Sequence, residues 1–174
     1  ARIQIDIKGF ADHMTPFPWS VFGHLPPELV TIYAQQSPKA VGTLASVKRY
    51  LDDPEQFYLP DYKWISVEAA AALARCGKSI IQHSLTSISP EVAEALGKCG
   101  GFLSLDGLTD VSTEVAEALA KCEGRISLGG LTNLSVEVAE ALGKSGGNLS
   151  FDGLTTISNE VAEALGKCGG DLSL

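Results

Sequence analysis

Basic residues are scarce in this 174-residue chain: 13 Lys and Arg stand against 21 Asp and Glu, a formal charge of −8. A nucleic-acid binder needs a cationic patch or stripe, and none is visible, so no nucleic-acid partner is expected. Acidic membrane surfaces would repel the same charge. No apolar run reaches the roughly 20 residues of a membrane-spanning helix, so no membrane partner is expected either. No leader-like segment opens the sequence, although it begins at Ala1 rather than Met, which leaves export open. With 45% hydrophobic residues, the chain can bury one continuous core.

Other scarcities are local. Beyond Trp64 the aromatics are Phe102 and Phe151 alone, and beyond Pro60 the sole proline is Pro90. Glycine runs the opposite way, with Gly9, Gly23 and Gly42 the only ones before residue 61. Composition therefore divides the chain into an individual region, 1–61, and a tandem array, 62–174. The stretch EVAEALGKCGG at Glu91 returns, nearly unchanged, at Glu114, Glu137 and Glu160. Leu85, Leu108, Leu131 and Leu154 each precede Thr and succeed one another at steps of 23. Cys76, Cys99, Cys122 and Cys168 keep that step, with Ser145 in the one skipped place. The units are 62–84, 85–107, 108–130, 131–153 and a partial 154–174. Such a period marks a solenoid, in which each unit hides its apolar side only against its neighbours.

One unit can be built from its residues. In FLSLD, 102–106, Leu103 and Leu105 alternate with Phe102, Ser104 and Asp106, the period-two pattern of a half-buried strand. Leu108 and Val111 follow as inward anchors of a turn. Ser112 is a helix N-cap, and Glu114 suits the positive end of the helix. In the preceding unit Ser89 is followed by Pro90, a favoured first helical residue. Val92, Ala95, Leu96 and Cys99 make one apolar stripe. On the opposite face Glu94 and Lys98 stand four apart, as do Glu117 and Lys121, Glu140 and Lys144, and Glu163 and Lys167, each pair adding ~0.3 kcal/mol of helix support. Gly100 and Gly101 are expected to stop the helix. The expected fold is α/β: a right-handed solenoid of strand–turn–helix coils with a short parallel sheet and an α-rich N-terminal cap.

The run LSLDGLTDVSTEVAEALAKC, 103–122, resembles a leucine-rich repeat, most of all the cysteine-containing subtype, and also bacterial repeats of similar length that contain A-F-x-x-C. Leu103 and Leu105 match the strand leucines of that subtype, Val111-Ser112 its turn, and Ala118-Leu119-Ala120-Lys121-Cys122 its helix end. The likeness covers roughly Tyr62 to Leu174. It departs where the family has Asn or Cys after the strand, since Leu108, Leu131 and Leu154 stand there. Thr109, Thr132 and Thr155 are expected to take over part of that backbone bonding. The unit is also shorter than the cysteine subtype's. The resemblance implies a parallel sheet on one face, helices on the other, and a non-catalytic scaffold that binds a protein or peptide partner.

The first region reads as a cap for the open end of such an array. Ile3, Ile5 and Ile7 alternate with polar residues as a strand, and helices are expected over Pro27–Gln36 and Ser37–Leu51. Counting back two periods from Leu103 and Leu105 gives Phe57 and Leu59 as the first regular strand. Within TPFPWSVFGHLPP, 15–27, the aromatics Phe17, Trp19 and Phe22 either plug the open core or form an exposed patch for a partner.

Catalytic chemistry finds no footing. Phosphate loop, dinucleotide fingerprint and HExxH motif are all missing, and the reading includes no cofactor and no metal. The cysteines occur once per unit with no histidine to complete a zinc set, and Ser145 shows the place accepts a non-thiol. They read as reduced, structural fillers, which favours a reducing, cytoplasmic compartment. His13 lacks a placeable nucleophile, and His83 shares its unit position with Asp106, Gly129 and Asp152. Asp106 and Asp152 lie two units apart, roughly 10 Å by strand spacing, too far to share calcium. The face expected for a partner comprises Phe102, Ser104 and Asp106, then Arg125 and Ser127, then Asn148, Ser150 and Asp152, with Phe102 and Arg125 foremost. The alternative is a structural or self-assembling array with no dedicated face, associating through the uncapped C-terminal end at 171–174.

Overall fold

The computed structural model describes residues 41–52 and 61–174. Its elements, in chain order, are β1 (Val41–Gly42), α1 (Leu44–Leu51), β2 (Trp64–Ile65), α2 (Val67–Arg75), β3 (Ile80–Ile81), α3 (Pro90–Leu96), β4 (Leu103–Ser104), α4 (Thr113–Leu119), β5 (Ile126–Ser127), α5 (Val136–Leu142), β6 (Leu149–Ser150), α6 (Asn159–Leu165) and β7 (Leu172–Ser173). The fold is α/β. A five-stranded parallel sheet runs in the order β3-β4-β5-β6-β7, beside a two-stranded parallel ladder of β1 and β2.

The strands exist because each unit offers its amides to the next. Leu103 and Leu105 donate to the carbonyls of Arg125 and Ser127 at 2.8 and 2.9 Å. Ile126 and Leu128 do the same to Asn148 and Ser150, at 2.8 Å each. Partners across every ladder differ by one period, as in Ile80↔Leu103, Leu103↔Ile126, Ile126↔Leu149 and Leu149↔Leu172. Two-residue strands have little stability alone; the leucines that flank them supply it. Leu103, Leu105, Leu108, Leu119, Ile126 and Leu128 are wholly buried in one apolar cluster that extends from Val47 to Leu165.

Each helix of seven residues is too short to persist in water alone. Serine caps start them. The hydroxyls of Ser66, Ser89, Ser112, Ser135 and Ser158 accept the N–H three residues on, at 3.2–3.4 Å. Exposed glutamates in the first turn reinforce the caps: the Ser112 hydroxyl and its own backbone amide hold Glu114 below the usual carboxylate range. Val92, Ala93, Ala95 and Leu96 face the core, and α1 packs on α2, α2 on α3, α3 on α4, α4 on α5, and α5 on α6. On the solvent side Lys98 reaches Glu94 at 3.9 Å, as the four-residue spacing predicts. Lys144 instead reaches Glu117 of the preceding unit, also at 3.9 Å.

Several sequence expectations change. The helix anticipated over Ser37–Leu51 begins only at Leu44, because Val41–Gly42 pairs as a strand with Trp64–Ile65 and the Thr43 hydroxyl caps it by accepting the Ser46 N–H at 3.3 Å. Thr43 lies one period before Ser66, so the periodic cap-and-helix pattern crosses the compositional boundary at 61. In later units the residues matching β2, such as Asp110 and Val111, form no strand, so β1 and β2 make a ladder of their own just before the first helix caps. The paired glycines do not stop the helices. Helix α3 ends at Leu96, and the Cys99 N–H closes a tighter turn on the Leu96 carbonyl at 2.9 Å. Gly77, at φ 68°, is the one glycine among the described residues with positive φ. The threonines after the strand are exposed; Leu108 itself bonds back to the Leu105 carbonyl at 3.0 Å, and Leu131 to Leu128 at 3.1 Å. The expected strands at Ile3–Ile7 and Phe57–Leu59, the helix Pro27–Gln36, and Phe17, Trp19 and Phe22 lie outside the described residues.

Candidate functional site

Alternation along each strand sends the leucines inward and leaves three columns on the opposite face. Phe102, Arg125, Asn148 and Asp171 form the first column; Ile81, Ser104, Ser127, Ser150 and Ser173 the second; His83, Asp106, Gly129 and Asp152 the third. The parallel register brings the expected face residues together in neighbouring rungs. The guanidinium carbon of Arg125 lies 5.8 Å from the centre of the Phe102 ring. That stacking is worth about 0.5–1 kcal/mol at an exposed place.

The serines behave otherwise. Ser104, Ser127 and Ser150 retain only 1%, 6% and 2% of their exposure, so the expectation that they form contact surface is corrected. Neighbouring rungs about 4.8 Å away shield so small a side chain, and their hydroxyls are already committed. Ser104 and Ser127 donate to the two carboxylate oxygens of Asp106 at 2.7 and 2.6 Å, while the Gly129 N–H donates to the same carboxylate at 2.8 Å. His83 Nδ1 stands 3.6 Å from Asp106. Partial burial works to raise the pKa of Asp106, but the Ser127 and Ser104 hydroxyls, the Gly129 amide and His83 outweigh it and hold the carboxyl below its ordinary range. Asp152 is exposed and receives a longer bond, 3.2 Å, from Ser150.

Asp106 belongs to a wider device that sequence reading missed. Where the main-chain ladder ends, a side-chain oxygen bridges to the amide one period ahead. Asp61 accepts the Ser84 N–H at 2.8 Å and its hydroxyl at 2.9 Å, and Asn148 accepts the Asp171 N–H at 2.9 Å. Gln82 was missed as well. It occupies the buried column of Leu105, Leu128 and Phe151, where its Oε1 accepts the Tyr62 N–H at 2.7 Å and its Nε2 donates to the Ile81 carbonyl at 2.8 Å. A polar residue in a leucine column was the available signal. Ile81, 45% exposed in the serine column, carried a similar one.

The cysteines are free thiols, and they do more than fill space. Cys122 donates to the Cys99 carbonyl at 3.3 Å, and Cys168 to the Ser145 carbonyl at 3.4 Å, each reaching back one unit. In the skipped place the Ser145 hydroxyl accepts the Gly147 N–H at 3.2 Å. Burial pushes the Cys122 thiol up, away from the reactive thiolate. Among the described residues no group of three or more His, Cys, Asp or Glu side chains converges as a metal site would require. No described helix is long and apolar enough to cross a membrane.

The chain matches no family model, no curated protein and no solved structure. Its own residues therefore carry the functional argument.

Proposed function

We propose that the chain is a right-handed solenoid of leucine-rich-repeat type, acting as a non-catalytic scaffold that holds a protein or peptide partner on its strand face. The observation that carries this reading is the Phe102–Arg125 pair. A phenylalanine ring and a guanidinium, side-chain types enriched at protein interfaces, are stacked at 5.8 Å on the side opposite the helices. The one-period register of every strand pair supports the solenoid, since a repeated unit stacked in parallel offers the same three columns rung after rung. A scaffold role also suits the serine hydroxyls, which are spent on Asp106 rather than directed at a base. Immobilised protein tests the reading. A partner captured by the wild type should still be captured by a helix-face variant, Lys167→Ala, and lost with Phe102→Ala/Arg125→Ala. Capture unchanged by the double substitution removes the strand face as the binding surface.

A further inference from the structure

We infer that Phe102, Arg125 and Asn148 form a receptor for the free carboxyl terminus of a peptide whose last side chain is apolar. This rests on the scaffold reading and specifies its ligand. The three residues stand in the first column, one per rung, with neighbouring rungs about 4.8 Å apart. Arg125 lies across Phe102, its guanidinium carbon 5.8 Å from the ring centre, and among the described residues no carboxylate comes within 4 Å of that cation. A guanidinium offers a carboxylate two parallel bonds. Asn148 adds donors from the next rung. Its side-chain oxygen accepts the Asp171 N–H at 2.9 Å, so the oxygen end of the amide is committed and the two donors of its nitrogen remain for a ligand. The nearby Asp106 does not compete for Arg125, because its oxygens are held by Ser104, Ser127 and Gly129.

The donors are bounded on both sides. Beyond Asn148 the column continues with exposed Asp171, whose charge would repel a second carboxylate. On the other side the surface turns apolar: Phe102 is half-buried, and Ile81, 45% exposed, lies diagonally beside it in the rung of β3. The patch therefore takes one carboxylate and, next to it, one apolar side chain. A chain terminus carries both on a single Cα. An internal Asp or Glu does not, because its immediate neighbours in an extended strand point to the opposite side. A terminus also needs its main chain to leave in one direction only. Ser104 and Ser127 provide that exit, since their small side chains are buried, spent on Asp106, and leave a low floor over the central column.

The test uses three synthetic hexapeptides with a fluorophore at the amino end, read by anisotropy: GSGSSL as the free acid, GSGSSL as the terminal amide, and GSGESL as the terminal amide. The third restores the lost negative charge on an internal side chain. Wild-type protein should bind the free acid at least about tenfold more tightly than either amide, and the preference should weaken with added salt. Arg125→Ala should erase the preference. Asn148→Asp is the sharper variant: it keeps an acceptor for the Asp171 N–H, so it should melt like the wild type, yet it replaces the outward donors with a negative charge and should lose the preference as well. Equal binding of acid and amide, no binding of the acid at millimolar concentration, equal binding of the internal glutamate peptide, or a preference that survives Asn148→Asp would each overturn the inference. None of these results touches the scaffold reading, which stands or falls on partner capture by Phe102→Ala/Arg125→Ala, because a folded partner can use that pair without offering a chain end.

Discussion

Asp106→Ala probes the polar half of the strand face most sharply. The substitution removes the acceptor for the Ser104 hydroxyl at 2.7 Å, the Ser127 hydroxyl at 2.6 Å and the Gly129 amide at 2.8 Å. The two serines are 1% and 6% exposed, so water cannot readily replace the lost partner. Each buried polar group left unpaired costs about 1–3 kcal/mol, three donors lose their acceptor, and relief of the partly buried carboxylate and relaxation offset much of that, so the expected net loss is about 2–4 kcal/mol. Asp152→Ala is the internal control: it removes one bond, at 3.2 Å, from the buried Ser150 hydroxyl alone, so its loss should be about 1 kcal/mol and smaller than that of Asp106→Ala. Urea denaturation of the three proteins gives both differences directly. The pH dependence has a definite sign. Because the folded protein holds Asp106 below its ordinary range, its stabilising contribution is present above the unfolded value of about 3.9 and is lost as pH falls through the folded one. The gap between wild type and Asp106→Ala should therefore be full at neutral pH and narrow in acid. Equal losses for the two aspartates, or a gap that does not change in acid, would refute the argument.

Further predictions concern the stacking itself. A Cβ at Gly130 would meet the Asp106 carbonyl oxygen and lie 2.5 Å from that of Leu108, so Gly130→Ala should force adjacent units apart and lower stability by more than about 2 kcal/mol in a thermal melt. Gly100 has open space around it and no positive φ, so Gly100→Ala in the same assay should be neutral or slightly stabilising. Removing the cap hydroxyl in Ser135→Ala should cost about 1 kcal/mol by urea denaturation. Cys122, buried and with its thiol pushed up, should resist a disulfide-exchange reagent in the native protein and react fully once urea unfolds it.

Residues that repeat were legible, because repetition converts one local reading into several independent trials. The caps at Ser89 and Ser112, the apolar stripe of Val92, Ala95 and Leu96, and the burial of Leu103, Leu105 and Leu108 follow from propensity and periodicity, which act over a few residues. What escaped depends on contact between units. Nothing local distinguishes Ser104 as an exposed strand residue from Ser104 as a hydroxyl locked to Asp106 and shielded by the next rung. Gly101 and its equivalents look like helix stops, yet a Cβ at Gly124 would meet the Gly101 carbonyl oxygen, so backbone crowding between units explains glycine there. The start of α1 was misplaced for the same reason: the Ser37-Pro38 signal is local, whereas pairing of Val41–Gly42 with Trp64–Ile65 is not. Phe102 and Arg125 were identified as foremost on the face by residue type alone, and the sheet register brought them into contact.

The most direct test of stacked, interchangeable units is to excise one. Deleting 131–153 removes a whole period and leaves Gly130 joined to Leu154, so that β7 takes the place of β6 beside β5. If neighbouring units alone shield one another, the shortened protein should still unfold cooperatively, with proportionally less helical ellipticity and a lower melting temperature. Deleting 131–150 instead, which breaks the period, should abolish folding. Loss of cooperative unfolding on removal of the full period, or equal tolerance of both deletions, would contradict the account.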